Sequence, residues 1–331
     1  MAKKNKTVLV FGSNSFSAGF VIKKLLNKNY KVIGISRSKL IKKKFQSFDA
    51  KHKNYKFYQL DINNNLNKIL NLLKKNKPYY IINFASQSMV AESWQNPVSW
   101  YKTNSYGMIN LYYSIFKLSF KKKLIHISTP EVYGSKKRKI PENKNYNPST
   151  PYAASRITAD QFLDVLHKNY NFNFCIIRAS NVYGEYQKIY RIIPKTIFSI
   201  LKKKQLNLHG GGNSKRNFIH IEDVAEATYK IMKKGAPGEI YHVSGEKLIS
   251  IKSLVLKICK LMKYEFEDLV KKTKDRSGKD KYYSLSNKKI IKQFHWREKI
   301  NLDEGLKKTI SWVKKYIAYF NKRDENYWHA E

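Results

Sequence analysis

The stretch TVLVFGSNSFSAG at residues 7–19 decides the fold of this chain. A run of apolar and β-branched residues leads into Gly12, Ser15 and Ala18, three small residues spaced three apart, and an amphipathic stretch over about 18–28 follows. Strand, tight small-residue turn and helix in this order predict backbone N–H groups that face a pyrophosphate at the start of the helix. A close-packed turn without a ligand is the alternative that this pattern leaves open.

Apolar strand-like runs alternate with amphipathic stretches over residues 7–180. Strands alternating with helices predict βαβ units and a parallel sheet covered on both faces. We therefore expect an α/β fold, a Rossmann-type doubly wound parallel sheet with a smaller C-terminal domain. The expected domains are 1–181, with returning segments near 215–245, and a cap mainly over 182–331. Helices are expected over about 18–28, 64–76, 98–119 and 151–169.

The charge of the chain is strongly positive, with 65 Lys and Arg against 24 Asp and Glu and a formal net charge of +41. Lysine supplies nearly all of it, in KK and KKK runs spread over every segment. We interpret this as the coding bias of AT-rich DNA on solvated faces, and a dedicated polyanion-binding surface is the alternative. Arginine is scarce, and where lysine is this common it indicates a need for the planar, bidentate guanidinium. The arginines within motifs are Arg37, Arg156, Arg178, Arg191, Arg216 and Arg276.

Several classes of protein are disfavoured by the composition. No apolar run approaches the roughly 20 residues of a membrane helix, and the first apolar run is too short for a signal peptide. We expect a cytoplasmic protein with no membrane partner and no specific nucleic-acid partner. Cys175 and Cys259 lie in apolar settings without metal-ligand spacing, which predicts two buried, reduced thiols and no metal site.

Residues at the ends of the strands that follow the first turn determine whether NAD or NADP binds. An NAD site usually has an acidic residue after the second strand, where it binds the ribose 2′-hydroxyl. This chain has Ser36 and Arg37 there, which suit a 2′-phosphate, so we predict NADP. Further cofactor contacts are expected from Phe16, from Asp61 and Ile62 after the third strand, and from Phe84, Ala85 and Ser86 after the fourth.

The motif TPYAASR places Tyr152 and Arg156 four residues apart, on one face of a helix. The ordinary pKa of tyrosine is about 10, and an adjacent cation lowers it by favouring the phenolate. Thr129, in HISTPEVYG, adds a hydroxyl from the preceding strand end, and these groups together are typical of a site that takes a proton from a sugar hydroxyl. A surface pair is the alternative. Glu131 is either a catalytic carboxylate or the first acidic residue of a solvated loop.

Eight motifs occur in register along nearly the whole chain: GSNSFSAG, LDI, NFASQS, STPEVYG, TPYAASR, RASNVYG, HGGGNSKRNFIHIEDVA and DRSGKD. Together they resemble the extended short-chain dehydrogenase/reductase family in its nucleotide-sugar 4,6-dehydratase branch. VIGISRS and ASQSMVAESW look closer to GDP-mannose 4,6-dehydratase and to the GDP-N-acetylglucosamine 4,6-dehydratases of legionaminic acid synthesis than to the dTDP-glucose enzymes. The resemblance implies an NADP-binding first domain and a substrate-binding cap.

The resemblance also implies a reaction cycle. Tyr152 accepts the 4-hydroxyl proton while a hydride passes from C4 to NADP⁺, and Glu131 then removes the C5 proton. Water leaves from C6 and the hydride returns there, which yields a 4-keto-6-deoxy sugar and an unchanged cofactor.

Two positions depart from the family pattern. Pro130 stands where dTDP-glucose members have an aspartate that protonates the leaving hydroxyl, so protonated Glu131, a water or a neighbouring hydroxyl has to serve. Arg156 replaces the usual lysine; it keeps the charge and can grip the nicotinamide ribose, but it does not relay protons as a lysine does.

The remaining motif residues are assigned to a nucleotide-sugar substrate by the same resemblance. Asn181, Arg216 and Arg276 hold its diphosphate, where bidentate contacts are strongest. The expected substrate-binding set also contains Gln87, Ser88, Glu131, Arg191 and Lys195. Arg178 is equally consistent with a structural ion pair.

The family implies a homodimer or homotetramer through the helices near 98–119 and 151–169. Two other functions stay open. One is a nucleotide-sugar decarboxylase or epimerase of the same fold, and Glu131 argues mainly against the epimerase. The other is a non-catalytic protein that binds NADP or polyanions.

Overall fold

The computed structural model describes residues 7–274, 281–321, 324–325 and 327. Its strands are β1 (Thr7–Phe11), β2 (Lys31–Ser36), β3 (Tyr55–Gln59), β4 (Tyr80–Asn83), β5 (Lys123–Ile127), β6 (Phe174–Ala179), β7 (Asn181–Tyr183), β8 (Leu206–His209), β9 (Lys215–His220), β10 (Glu239–Val243), β11 (Leu248–Ser250), β12 (Val270–Thr273) and β13 (Tyr282–Tyr283). Its α-helices are α1 (Phe16–Asn27), α2 (Leu66–Asn76), α3 (Pro97–Tyr101), α4 (Met108–Phe116), α5 (Pro151–Tyr170), α6 (Ile192–Leu201), α7 (Ile221–Lys234), α8 (Ile251–Met262), α9 (Phe266–Leu269), α10 (Lys288–Phe294) and α11 (Leu302–Tyr316).

Seven of these strands form one parallel sheet in the order β10-β6-β5-β4-β1-β2-β3. Alternate residues of β1, an interior strand of this sheet, point to opposite faces and pack in two different cores. Val8 and Val10 pack in the core that contains α1 and α7, whereas Leu9 and Phe11 pack in the core of α2, α4 and α5. All four side chains are fully buried. A parallel sheet with both faces covered confirms the predicted α/β, doubly wound fold.

The predicted helices are confirmed to within three residues at each boundary. One of them differs in its interior, because a π-helical segment, Lys102–Gly107, joins α3 to α4. Such segments widen one turn of a helix and are frequent at functional sites. Nothing in the hydrophobic pattern of the sequence indicates it.

The C-terminal half contributes to the sheet and also builds a second core. β10 is an edge strand beside β6, and α7 covers the sheet next to α1. The other core lies between α6, α8 and α11, and Phe45 from the β2–β3 connection is buried in it. Beside it β9 pairs with β7, β11 and β13, and β8 pairs with β12. The division near residue 181 stays a prediction.

A buried ion network joins α5 to the centre of the sheet. The carboxylate of Asp160 lies 2.7 Å from Arg178 on β6 and 3.1 Å from His126 on β5, and none of the three is more than 1% exposed. Arg178 also donates to the hydroxyl of Tyr133 and to the Asn143 carbonyl, at 3.1 Å for the latter. The structural ion pair expected as one role of Arg178 is thereby confirmed.

The charges in this network are set by burial and by neighbours. Burial acts to raise the pKa of Asp160, but Arg178 and His126 outweigh it and hold that pKa well below its usual range. Burial lowers the pKa of His126, so its ring is neutral at neutral pH. Because a carboxylate only accepts, we assign the His126 proton to Nε2, and Nδ1 then accepts from the Tyr112 hydroxyl at 2.5 Å.

Replacing Asp160 is expected to destabilise the fold strongly. Asp160→Asn preserves the shape but leaves the fully buried Arg178 without its carboxylate, which should lower the free energy of unfolding by about 3–5 kcal/mol in urea denaturation. The matched control is Asp164→Asn on the same helix, whose partners Lys144 and Lys168 are exposed, with an expected loss of about 0–1 kcal/mol. Equal losses in the two variants would contradict the importance of the buried pair.

The pH dependence of this difference has a defined sign. A carboxyl whose pKa is lowered by folding contributes stability that is fully present above its unfolded pKa of about 4. The difference between wild type and Asp160→Asn should therefore be constant from neutral pH down to about pH 4 and shrink as the pH falls further.

Candidate active site

A cleft of about 920 Å³ lies at the carboxyl ends of the central strands. β1 and β4 are neighbours there, and the strand order reverses between them, so their connections leave toward opposite faces of the sheet. Ligands of doubly wound sheets bind at such a point. The far wall comes from the cap, through the chain from β7 to α6 and through β8 and β9.

The turn between β1 and α1 forms the floor of one end of the cleft. Gly12 has φ +68°, and a Cβ at this position would lie 2.6 Å from the amide nitrogen of Ala85, so no other residue fits. Ser15 caps α1 by accepting from the Ala18 amide at 3.3 Å. Gly12, Ser15 and Phe16 line the cleft, but Ala18 does not, because it is fully buried inside the first turn of α1. The third small residue of the motif packs the turn instead of facing a ligand.

Asn14 joins this turn to the end of β2. Its amide N–H donates to Ser36 Oγ at 3.0 Å, and its side chain donates to Ser38 Oγ at 3.0 Å and to the Lys39 carbonyl at 2.8 Å. Ser36 is therefore a buried acceptor within the turn as well as a lining residue. Arg37 is exposed on the wall of the cleft, where its guanidinium faces solvent.

The other predicted cofactor contacts also line the cleft. Asp61 closes a turn after β3 by accepting from the Asn63 amide at 2.8 Å. Asn83 fixes the β4 end in the same way, by accepting from the Ala85 amide at 2.8 Å. The lining residues at these two strand ends include Asp61, Ile62, Phe84, Ala85 and Ser86.

The four predicted catalytic residues line this cleft. Thr129 begins the turn Pro130–Tyr133, and its Oγ1 accepts from the Glu131 amide at 3.4 Å. Tyr152 and Arg156 lie on α5, both buried. Arg156 donates to the Ile127 carbonyl at the end of β5 and lies 3.4 Å from His126 of the buried network.

Burial is the largest influence on Tyr152 and raises its pKa above the ordinary value. Arg156 lowers this pKa, as the sequence predicted, and so does a hydrogen bond with Thr129, whereas Glu131 raises it. The net shift is upward, so the expectation that the Arg156 charge governs this pKa is wrong. Tyr152 is therefore protonated at neutral pH, and the fraction of phenolate increases with pH.

Asn104, in the π-helical segment, positions the wall opposite Tyr152. Its side chain accepts from the Gln87 amide at 2.9 Å and donates to the Gln87 carbonyl at 3.0 Å and to Ser155 Oγ at 3.0 Å. Ser155 lies on α5 between Tyr152 and Arg156. The sequence analysis missed Asn104, because its partners are 17 and 51 residues away and no spacing rule connects them.

Most of the predicted substrate residues lie on the cap side of the cleft. Asn181 accepts a hydrogen bond from the Tyr283 hydroxyl, and the Arg216 guanidinium lies 4.3 Å from the centre of the Tyr283 ring. Arg191 lies 3.5 Å from Ser88 Oγ across the cleft. The lining residues of this set are Gln87, Ser88, Glu131, Asn181, Arg191, Lys195 and Arg216. Arg276 lies outside the described residues.

Sequence reasoning missed several lining residues contributed by distant segments. Tyr283 from β13, Lys188 and Tyr190 from the chain before α6, and Tyr327 near the C-terminus all line the cleft. Burial lowers the pKa of Lys188 to about 8, and its ammonium lies 3.8 Å from the centre of the Phe45 ring. In KIYRIIPK, the tyrosine followed by an arginine, Tyr190 and Arg191, was the one feature of the sequence that indicated this wall.

The described residues contain no cluster of three or more His, Cys, Asp or Glu side chains suited to a metal ion. Within the same part of the chain, no helix combines the length and apolarity required to cross a bilayer. Cys175 and Cys259 are both buried, which confirms their predicted environment.

Comparison with known proteins gives matches over nearly the whole chain. Residues 9–309 match the family model described as GDP-mannose 4,6 dehydratase. The dTDP-D-glucose 4,6-dehydratase of Homo sapiens is 33% identical over 320 residues, which are 93% of this chain and 90% of that protein. The dTDP-glucose 4,6-dehydratase of Haemophilus influenzae is 31% identical over 332 residues, with coverage of 92% and 97%.

Solved structures give the same result. DesIV, a dTDP-glucose 4,6-dehydratase from Streptomyces venezuelae with NAD bound, has a TM-score of 0.87 and 26% identity and covers 95% of this chain and 98% of its own. The dTDP-glucose 4,6-dehydratase of Bacillus anthracis, in complex with NAD, has a TM-score of 0.85 and 27% identity, with coverage of 95% and 98%.

Proposed function

Since the chain belongs to the GDP-mannose 4,6-dehydratase family, a nucleotide-sugar 4,6-dehydratase branch of the extended short-chain dehydrogenases, we propose that it removes water from a nucleotide-activated hexose to give the 4-keto-6-deoxy sugar. The observation that carries this proposal is the constellation of Thr129, Glu131, Tyr152 and Arg156 in a cleft that is also lined by a dinucleotide-type turn. Glu131 distinguishes the dehydration from a simple oxidation, because only dehydration requires a base at C5.

The cleft fits a nicotinamide dinucleotide. At Gly12 the backbone approaches Ala85 so closely that a Cβ would fill the space, and the N-terminus of α1 follows, which suits a pyrophosphate. Both structures with NAD bound belong to the same branch. For this chain we propose NADP, because Ser36 and Arg37 stand at the end of β2, where a 2′-phosphate needs donors and no carboxylate, and both line the cleft. A nicotinamide dinucleotide supplies the acceptor and donor of two electrons.

The chain's own residues handle the protons. Tyr152 acts in its phenolate form, which Arg156 and the hydrogen bond with Thr129 stabilise, and takes the proton of the sugar 4-hydroxyl as the hydroxyl oxygen becomes a carbonyl. The 4-keto group acidifies C5, and the Glu131 carboxylate takes the C5 proton. The C6–O bond then breaks as a C5–C6 double bond forms, and the proton held by Glu131 completes the departing water, because Pro130 has no group to donate. Return of the hydride to C6 and a proton from solvent at C5 would complete the 4-keto-6-deoxy sugar, and Tyr152 would lose its proton to solvent. Arg156 stays charged and orients the nicotinamide ribose.

The cap supplies a cationic wall for the diphosphate of the substrate. The Arg216 guanidinium packs on the ring of Tyr283, and the Tyr283 hydroxyl donates to Asn181. Arg191 and Lys195 line the same wall. Guanidinium groups held in this way form bidentate contacts with phosphate. We propose GDP-N-acetylglucosamine or GDP-mannose as the substrate, on the resemblance of VIGISRS and ASQSMVAESW to the GDP-sugar enzymes.

The chain also presents a surface for self-association. The α3–α4 segment exposes Val98, Tyr106 and Tyr113, and α5 exposes Val165 and Tyr170. Exposed apolar and aromatic residues on adjacent helices mark interaction sites, and these helices pack side by side. We propose that they form the interface of a homodimer, with a homotetramer as the larger alternative.

The test of the function is mass spectrometry of the products from GDP-N-acetylglucosamine, GDP-mannose, UDP-N-acetylglucosamine and dTDP-glucose, each incubated with NADP⁺ and no reductant. We expect one GDP-sugar to lose one water. In Glu131→Gln the amide cannot accept the C5 proton, so water loss should slow by about 10²–10⁴-fold, while absorbance of the reduced nicotinamide still appears on mixing.

The matched control for this variant is Glu142→Gln. Glu142 is a partly buried glutamate of the same segment that accepts from the His242 amide at 3.0 Å, and it does not line the cleft, so its rate should stay near that of wild type. Water loss from dTDP-glucose alone would overturn the GDP-sugar assignment. No mass change with any sugar would overturn the dehydratase for these substrates.

The cofactor preference depends on Arg37. Removing a charged donor to a phosphate costs about 1.5–3 kcal/mol, so Arg37→Ala should weaken NADP binding about 10- to 100-fold and leave NAD binding nearly unchanged in fluorescence titrations. The control is Lys39→Ala, an exposed cation two residues on that does not line the cleft. Equal losses for NADP and NAD in Arg37→Ala would argue against a 2′-phosphate site.

The proposed dimer interface is tested by introducing a charged side chain into it. Tyr106→Glu places a carboxylate on this exposed apolar surface and should shift the protein toward monomer in sedimentation velocity. Leu256→Glu, an exposed apolar residue on α8, is the control and should leave the assembly unchanged. A wild-type protein that sediments as a monomer at micromolar concentration contradicts the proposal.

A further inference from the structure

Beyond α11 the structure describes residues 317–321, 324, 325 and 327, called here the C-terminal segment, and the last of them lies at the cleft. Tyr327 lines the cleft, and its ring makes an edge-to-face contact with Tyr190, with 5.6 Å between ring centres. Tyr190 is followed by Arg191, whose guanidinium lies 5.6 Å from the centre of the Tyr190 ring. The last described residue of the chain therefore belongs to the same wall as the cap arginine.

Two ion pairs and an aromatic cluster hold this segment in place. Phe320 is buried against Phe45, with 5.7 Å between ring centres. Lys44 donates to the Tyr319 carbonyl at 2.7 Å and lies 2.5 Å from Asp324, and the side chains of this pair are only 10% and 16% exposed. A second pair joins Lys204 and Glu325 at 2.8 Å.

These anchors join the segment to both halves of the molecule. Lys44 and Phe45 belong to the connection between β2 and β3, which also contains Arg37, whereas Lys204 follows α6 of the cap. Tyr327 is close enough to Arg37 on one wall and to Arg191 on the other for both charges to influence its hydroxyl. Burial is the larger influence and raises the pKa of that hydroxyl, so it is a hydrogen-bond donor at neutral pH.

We propose that Tyr327 is a further binding residue of the dinucleotide, held by the anchored C-terminal segment so that its ring and hydroxyl close the cleft between Arg37 and Arg191 and slow release of the cofactor. This inference rests on the proposed function. The ring offers a flat apolar contact to a ribose or base, and the hydroxyl offers a donor to a phosphate oxygen.

Slow release of the cofactor is an advantage in the proposed reaction. The cofactor ends each cycle as it began, so its release is not a step of turnover. If it left after oxidation of C4, the sugar would remain unfinished. A residue that closes the cleft therefore raises the yield of completed product without taking part in the proton transfers.

The experiment measures release of NADPH from the full-length protein. Protein preloaded with NADPH is mixed with excess NADP⁺, and the loss of protein-bound fluorescence gives the dissociation rate constant. A stacked aromatic contact is worth about 1–3 kcal/mol, so we expect Tyr327→Ala to raise this constant about tenfold or more. Tyr327→Phe keeps the ring and should raise it much less.

Two further variants separate the contact from general effects on the segment. Tyr319→Ala is the matched control, because Tyr319 is 68% exposed, lies in the same segment and does not line the cleft, and the rate should stay at the wild-type value. Asp324→Asn removes the charged anchor of Lys44 while leaving Tyr327 intact, and we expect it to raise the rate severalfold. Thermal unfolding of all variants checks that the fold is retained.

The outcomes distinguish this inference from the function on which it rests. If wild type binds no dinucleotide, the proposed function fails. If wild type binds NADPH and Tyr327→Ala releases it at the wild-type rate, the dehydratase proposal stands and this inference is wrong. If Tyr319→Ala accelerates release as much as Tyr327→Ala, the role assigned to Tyr327 itself is also wrong.

Discussion

The buried carboxylate of Asp160 is the group around which this molecule is organised. It lies on α5, one and two helical turns beyond Arg156 and Tyr152, and it accepts from Arg178 on β6 and from Ser128 at the end of β5. A charge buried in this way is tolerated only when every partner is in place. The network therefore fixes α5, which carries Tyr152, relative to the chain after β5, which carries Thr129 and Glu131, and with it the geometry of these candidate catalytic residues.

The cleft joins regions of different physical character. The wall around Gly12 is built from backbone, because Gly12 packs against Ala85 and leaves no space for a side chain. The wall around Tyr283 is built from side chains, and there Tyr283 contacts Asn181 and Arg216. The C-terminal segment connects the two through Lys44 and Phe45.

Much of the candidate site could be predicted from the sequence, because its residues lie at the ends of strands. In a parallel sheet the carboxyl ends of all strands meet at one edge, so Gly12, Arg37 and Asp61 had to converge once the βαβ alternation was recognised. Ala18 was misassigned because the small-residue pattern does not separate residues that face a ligand from residues that allow close packing. The pKa of Tyr152 was misjudged because the spacing to Arg156 is visible in the sequence, whereas the burial that outweighs this charge is not.

The individual strands and helices, the glycine turn and the spacing of Tyr152 and Arg156 on one helix could be predicted from the sequence alone, because each depends on residues within a few positions of one another. Only the tertiary structure decided that Asp160 neutralises Arg178, that Asn104 positions Gln87 through a π-helical turn, and that Tyr283 and Tyr327 enter the cleft. These contacts join residues separated by 17 to more than 100 positions. They follow from which segments pack together when the two cores form, and no local periodicity records that choice.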